Sequence, residues 1–417
     1  MPSRRADVVI LGSGWAAFSL LKKLDARFSV AVVSPSTHFT FTPLLASTTV
    51  GTLDFRSVVE PIRTARRGVD FHLAECRSID AEGKRVTCVS AQGKDDSAMF
   101  QLEYERLVIA TGLSSATFGT AGVGEHAHFL RTIGDAQRIR QRIIECFERA
   151  AVPGLGEEKR RRLLHFVVVG GGPTGIEFAG ELQDFVRSDV PKAYPSIDAR
   201  DIRITLVEPR EILSAFDKKL RAHAASSLAK HSVTIRKGIV QSVHRKHLVL
   251  KEMGSDVPVE LPFGLCVWST GLEPSDFLKS LDQFEKVPSS GRLAIDQDLR
   301  LVGHENVYAI GDCASVMDGA LPCTAQVAAQ EGKFLASVLN KGDGHRPKFN
   351  YHHRGMLAYI GRFESLVDMG NVRFAGFMGW IFWRSAYATT LVSWRNKILV
   401  PMDWFKQFVF GRDVSRF

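Results

Sequence analysis

Gly12-Ser13-Gly14-Trp15-Ala16-Ala17 and Gly170-Gly171-Gly172-Pro173-Thr174-Gly175 carry one spacing, Gly-x-Gly-x-x-Gly/Ala, twice in a chain of 417 residues. The first glycine permits a sharp turn, the second lets the backbone approach a pyrophosphate, and the third position, glycine or alanine, lets helix and strand pack closely. The phosphates would rest on the N–H groups that open the following helix, where the dipole favours negative charge. Such loops bind and orient, and they contain no acid, base or nucleophile. A single copy is weak, because the spacing also occurs in plain tight turns. Two copies, each straight after an apolar run, point to two dinucleotides in one chain.

Carboxylates and hydroxyls near these loops bear on which dinucleotide goes where. Ser29 to Val33 reads as the second strand of the first unit and ends at Ser34-Pro35, where a nucleotide fold often has an acid for the adenosine ribose. Ile202 to Val207 reads as the matching strand of the second unit and ends in Glu208, suited to both hydroxyls of that ribose. A 2′-phosphate within about 4 Å of this carboxylate would be repelled by roughly 1–4 kcal/mol at effective dielectrics of 80 to 20, so NADH is expected over NADPH. A capping or surface glutamate is the plainer alternative. Asn306 to Ile310 reads as a strand ending in Gly311-Asp312, where the aspartate can accept a hydrogen bond from a ribityl hydroxyl. Ala110-Thr111-Gly112 and Ser269-Thr270-Gly271 look like crossover strands between nucleotide domains.

The elements that must position these residues are legible as well. Asp7 to Leu11 and Phe166 to Val169 read as fully buried parallel strands, and Phe18 to Leu24 and Ile176 to Phe185 continue with helical apolar spacing. The length calls for two or three domains. A hydrophobic content of 45% with 24% charged residues describes a folded globular chain and argues against disorder. Six cysteines without Cys-x-x-Cys or Cys/His ligand spacing argue against a metal centre, a disulfide framework and a thiol-based mechanism. The net charge of +9 comes without a recognisable nucleic-acid module.

Part of that excess lies in the last segment. From Asn371 to Phe417 there are seven Lys/Arg against two Asp, with four of the six tryptophans. No stretch reaches eighteen apolar residues without a charge, so a transmembrane helix is not expected. Trp380, Trp383 and Tyr387 fall at i, i+3 and i+7, and a second segment puts Trp404, Phe405, Phe408 and Val409 on one face, with Pro401 separating the two. Aromatic rings at headgroup level and basic side chains reaching lipid phosphate suit an interfacial, membrane-associated segment, while a core-packing or dimer-forming tail is the alternative.

Taken together the chain resembles the two-dinucleotide flavoproteins, and within them the type II NADH dehydrogenases, single-subunit and non-proton-pumping NADH:quinone oxidoreductases, most closely the mitochondrial branch. The resemblance rests on both glycine loops, on Phe39-Thr40-Phe41-Thr42-Pro43-Leu44-Leu45, on Val167 to Glu177, on Glu181-Leu182-Gln183-Asp184, on Gly311-Asp312, on Thr324-Ala325-Gln326-Val327-Ala328-Ala329-Gln330 and on Leu357 to Gly361. It implies an α/β fold of two interleaved Rossmann-like domains with a C-terminal amphipathic membrane-anchoring segment. The expected divisions are 1–119 and 286–342 for an FAD domain, 120–285 for an NADH domain and 343–417 for the membrane and dimerisation region.

The same resemblance implies the site. Gly12, Ser13, Gly14, Trp15, Ala16, Ser34, Thr42, Pro43, Leu44, Thr111, Gly112, Gly311, Asp312, Ala325 and Gln326 would hold non-covalent FAD. Gly170, Gly172, Pro173, Thr174, Gly175, Glu177, Glu208, Thr270 and Gly271 would hold NADH. Gln326 and Gln330, four apart on a predicted helix, would offer amides to ubiquinone without bringing a charge. Glu177 would position the nicotinamide or relay a proton, with a dipole-stabilised helix carboxylate as its plainer reading. Some mitochondrial relatives have a histidine where Ala329 stands, so a proton-donating role there does not carry over. The family reading implies a homodimer, peripheral on the mitochondrial inner membrane. Its rivals are a sulfide:quinone oxidoreductase or ferredoxin reductase, disfavoured by Glu208, the unclustered cysteines and the aromatic tail, and a regulatory NADH-binding flavoprotein like apoptosis-inducing factor. Met1 to Ala6 is too short for a targeting peptide, and Ser415-Arg416-Phe417 only loosely resembles a peroxisomal signal.

Overall fold

The computed structural model describes residues 5–91, 99–342 and 346–415; Met1 to Arg4 and the closing Arg416-Phe417 lie outside them. The chain divides into two compact units, Met1–Thr40 with Val59–Ser114 and Leu272–His353, and Phe41–Val58 with Ser115–Gly271 and Arg354–Phe417.

In the first unit, strands Val69–Asp80, Val30–Ser34, Ala6–Leu11, Met99–Ile109 and Val307–Ala309 lie parallel in that order. Val8, Val9 and Ile10 are wholly buried because helices cover a parallel sheet on both faces. Each such side chain contributes about 1.5–3 kcal/mol of apolar burial. Strand Arg85–Ser90 pairs antiparallel with extensions of two of these strands and sets Cys76 opposite Cys88. Helix Trp15–Lys23 packs on helix Ala325–Lys341 so closely that a Cβ on Gly332 would lie 2.2 Å from the Ala16 carbonyl oxygen. Thr324 caps that second helix through Val327 N–H.

The second unit repeats the plan. Val233–Arg236, Arg203–Val207, His165–Val169, Leu265–Trp268 and His128–Phe129 form a parallel sheet in that order. Helix Ile133–Ala150 begins in a capping box, with Thr132 and Asp135 exchanging side-chain to main-chain hydrogen bonds. Helix Pro173–Ser188 has proline at its first turn, where no N–H is missed. It lies against strand Met356–Gly361, and a Cβ on Gly180 would come within 2.7 Å of Gly361 N. Strands Met356–Gly361, Glu364–Asp368 and Arg373–Gly376 then form an antiparallel meander that leads into two helices, Phe377–Thr390 and Trp394–Phe410.

The short motifs Ala110-Thr111-Gly112 and Ser269-Thr270-Gly271 are not strands of their own. They are the turns that follow Met99–Ile109 and Leu265–Trp268, with Gly112 and Gly271 at φ +68° and +78°. The tail also departs from the sequence expectation. Pro401 lies inside the helix Trp394–Phe410, and the break falls earlier, at Leu391 to Ser393. Trp383 and Trp404 are buried and Tyr387 is half-buried, so the aromatic stripe at i, i+3 and i+7 faces the protein. Phe377, Met378, Ile381, Trp394, Phe405 and Phe408 are exposed, so buried Trp404 is parted from Phe405, Phe408 and Val409, with which it was expected to share a face. An aromatic stripe reads alike whether lipid or protein covers it, and here the α-β packing surface took it. No helix among the described residues is long and apolar enough to cross a membrane.

Candidate functional site

In the first unit, Gly12 at φ +114° turns the chain out of strand Ala6–Leu11, and a Cβ there would meet the Ala110 carbonyl oxygen at 2.3 Å. Gly14 differs: a Cβ on it would meet nothing within 4 Å, although its φ of −76° suits any residue. Glycine at that position therefore leaves space for a ligand where the backbone needs none, as a pyrophosphate cradle requires. Ala16 and Ala17 are buried, Ala16 beside Gly311 and Gly332, and Trp15 packs edge-on to Phe39 with ring centroids 4.9 Å apart. Ser34 ends its strand in place of the usual acid, with its hydroxyl 2.8 Å from that of Ser13. Strand Val307–Ala309 runs on into Gly311-Asp312, as the sequence suggested, in a 3-10 turn with Gly311 at φ +76°.

One partner of that turn was missed. The Gly311 N–H donates to Glu331 Oε2 at 2.5 Å, and burial raises the Glu331 carboxyl to about 7 against this hydrogen bond. Glu331 immediately follows Gln330, but a helical glutamate carries no mark of burial in sequence. Ala325, Gln326 and Gln330 lie on helix Ala325–Lys341. The Gln330 side chain is already occupied: its Nε2 donates to the His352 carbonyl at 2.9 Å and its Oε1 accepts the His352 N–H at 3.0 Å. This reciprocal pair clamps the His352 main chain and leaves one N–H and one lone pair of the amide for other use.

In the second unit, Gly170 at φ +113° makes the corresponding turn, and a Cβ would stand 2.9 Å from the Ser269 carbonyl oxygen. Gly172 again faces open space at φ −74°, with Pro173 and Thr174 exposed beside it. On Gly175 a Cβ would fall 2.0 Å from the Gly170 carbonyl, the tight helix-to-strand contact its position in the loop calls for. Glu208, at the end of Arg203–Val207, is half-buried and accepts the N–H groups of Gly171 at 2.8 Å and Arg210 at 3.1 Å. Both loops thus fit a dinucleotide pyrophosphate, and the second has a carboxylate, Glu208, oriented by the loop itself. Thr42, Pro43 and Leu44 form a 3-10 turn of the second unit, with Leu44 fully buried.

Glu177 does not sit exposed at a helix terminus. It is buried on helix Pro173–Ser188, accepts the Tyr359 N–H at 3.3 Å, and burial raises its carboxyl to about 8. Glu181 and Asp184 follow on the same helix face. Glu181 accepts from Ser47 at 2.7 Å and Thr52 at 2.5 Å, with Arg412 Nη2 at 3.5 Å. Asp184 accepts from the Tyr359 hydroxyl and from Arg362 N at 2.9 Å, and burial raises it to about 6. The i, i+4, i+7 spacing of these acids was visible, but the polar lid over them, drawn from residues 47, 52, 359 and 412, was not.

A family described as pyridine nucleotide-disulphide oxidoreductase matches residues 6–332, which sets the class. A second, the NDH2 C-terminal domain, matches residues 353–413. The internal alternative NAD(P)H-ubiquinone oxidoreductase A1, mitochondrial, of Solanum tuberosum is 45% identical over 99% of this chain and 88% of its own length. The protein of the same description in Arabidopsis thaliana is 44% identical over 98% of this chain and 85% of its own. Among solved structures, NDH2 of Plasmodium falciparum in complex with NADH superposes with a TM-score of 0.91 at 25% identity, covering 99% of this chain and all of that one. The chain belongs to the type II NADH dehydrogenases, the family of the alternative NAD(P)H-ubiquinone oxidoreductases.

Proposed function

We propose that the chain is a single-subunit, non-proton-pumping NADH:ubiquinone oxidoreductase, peripheral on the mitochondrial inner membrane. The observation that carries this is the pair of glycine cradles, each with open space at its middle glycine, joined by Glu208 tied to the second. FAD, when bound, would supply the two-electron redox chemistry that links NADH to ubiquinone.

The chain's own residues bind, orient and hold protons. Gly12, Ser13 and Gly14 cradle the FAD pyrophosphate, and Asp312 accepts from the ribityl chain. The flavin domain is the unit of residues 1–40, 59–114 and 272–353, shifted from the expected 1–119 and 286–342, and residues 115–271 of the other unit carry the NADH loop. Gly170, Gly172, Thr174 and Glu208 seat NADH, with the Glu208 carboxylate taking both ribose hydroxyls and repelling a 2′-phosphate. Glu177 keeps its proton at neutral pH, since burial raises it to about 8, and so has one to give when quinone is reduced. Gln326 and Gln330 present uncharged amides to the quinone oxygens. The exposed apolar faces of Phe377–Thr390 and Trp394–Phe410 rest on the bilayer in which a long-tailed quinone is dissolved, and residues 343–417 also supply the contact of a homodimer.

The regulatory alternative has no support among the relatives. The test is NADH oxidation by the purified, FAD-loaded protein with a short-chain ubiquinone. Rapid quinone reduction is expected. Prompt flavin reduction without quinone turnover would overturn the acceptor.

A further inference from the structure

Within the second unit, helices Pro173–Ser188, Phe377–Thr390 and Trp394–Phe410 border a cavity of about 300 Å³ whose wall includes Trp380, Trp383, Arg384 and Trp404. Arg384 Nε on that wall is buried with no acceptor among the described residues, while the Trp383 indole N–H serves the Glu177 carboxylate. Trp383 is only 3% exposed. The Arg384 guanidinium lies between two indoles, 4.2 Å from the Trp380 ring and 4.7 Å from that of Trp404. A desolvated guanidinium with an unmet N–H costs free energy that a bound oxygen acceptor would recover.

The charges on the wall favour an anion over a neutral ligand. Its acids, Glu181 and Asp184, are already satisfied by Ser47, Thr52, Arg412, Tyr359 and the Arg362 main chain. Arg187, Arg362 and Arg384 also line it, and no ion pair with a carboxylate is formed by these three among the described residues. A planar guanidinium in a fixed pose suits a phosphate, which it can grip with two parallel hydrogen bonds. A quaternary ammonium would find the Trp380 and Trp404 faces taken by Arg384. Phe363, on the same wall, is exposed, and the outward sides of the two C-terminal helices carry Phe377, Met378, Ile381, Phe405 and Phe408 in the open. The cationic cavity and the apolar surface thus belong to the same pair of helices.

We propose that this cavity binds the phosphate of an anionic lipid headgroup, with Arg384 as its inner donor and Arg187 at its exposed side, while the outward apolar faces meet the acyl region. The site rests on the membrane contact proposed above, and makes that contact selective for lipid charge.

The FAD-loaded protein is titrated with dihexanoyl phosphatidylglycerol below its micellar concentration, beside dihexanoyl phosphatidylcholine and inorganic phosphate, following tryptophan fluorescence. Phosphatidylglycerol is expected to give a saturable change at concentrations at least about fivefold below the other two, and Arg187→Gln, at an exposed position, to raise its half-saturation about fivefold. Arg384→Gln is expected to abolish the change. An equal response to phosphatidylcholine, an equal response to inorganic phosphate, no saturable response, or a response unaltered in both variants each overturns the assignment. In parallel, flotation with phosphatidylcholine vesicles, with and without phosphatidylglycerol, tests the membrane contact itself. Failure to float with either, alongside a saturable phosphatidylglycerol titration, overturns the contact and keeps the site. Flotation with both vesicles alike and no titration overturns the site alone.

Discussion

Glu208 Oε2 accepts the main-chain N–H of Gly171 at 2.8 Å, so the acid ending one strand is anchored to the glycine loop that follows its neighbour. The loop and the Glu208 carboxylate therefore move as one piece. Glu208→Gln keeps an oxygen acceptor for Gly171 but removes the charge. The ratio of kcat/KM for NADH to that for NADPH is expected to fall by about fivefold or more, the lower end of the repulsion between a carboxylate and a 2′-phosphate. An unchanged ratio would leave Glu208 a structural acceptor only.

The two kinds of loop glycine should separate folding from binding. Gly14→Ala and Gly172→Ala add a methyl group to open space at a permitted φ, so thermal unfolding of the cofactor-free protein should be unaltered. Gly14→Ala is expected to lose FAD on purification, and Gly172→Ala to retain FAD with a raised KM for NADH. Gly12→Ala and Gly170→Ala, at φ +114° and +113°, should instead destabilise the fold by more than about 1 kcal/mol. Full FAD in Gly14→Ala would remove that loop from the flavin site.

Burial raises Glu177 to about 8, above its ordinary carboxylate value, so folding favours its protonated form. The stability this confers is fully present below the unfolded value and is lost as pH rises through about 8. Asp184 at about 6 and Glu331 at about 7 contribute in the same sense over lower windows. Glu177→Gln, which cannot ionise, is expected to gain thermal stability over the native protein as pH is raised from 6 to 9. Parallel Tm profiles for the two proteins would show that Glu177 titrates normally.

Arg412 reaches back from beyond the last helix to buried Asp189 at 2.9 Å, with Glu181 at 3.5 Å. All three side chains are almost inaccessible, so removing the cation strands two carboxylates. Arg412→Gln is expected to cost about 3–5 kcal/mol in unfolding free energy, measured by denaturant titration of the FAD-loaded protein. A loss under about 1 kcal/mol would mean that water replaces the arginine.

Much of this protein is written locally. The glycine spacing, the apolar runs before it and the acid at the end of Arg203–Val207 are short-range demands of turn, strand and dipole, so both nucleotide units and Glu208 could be read without a structure. Burial is decided elsewhere. Glu177 and Glu331 look like ordinary helical glutamates until strands and helices distant in sequence close over them, and only that closure raises their affinity for protons. Likewise Trp383 and Trp404 are turned inward, packed near each other, and Trp383 lies against Tyr359 and Tyr387. Amphipathic spacing tells that a helix has two unlike faces, but only tertiary packing decides which face meets protein and which is left exposed.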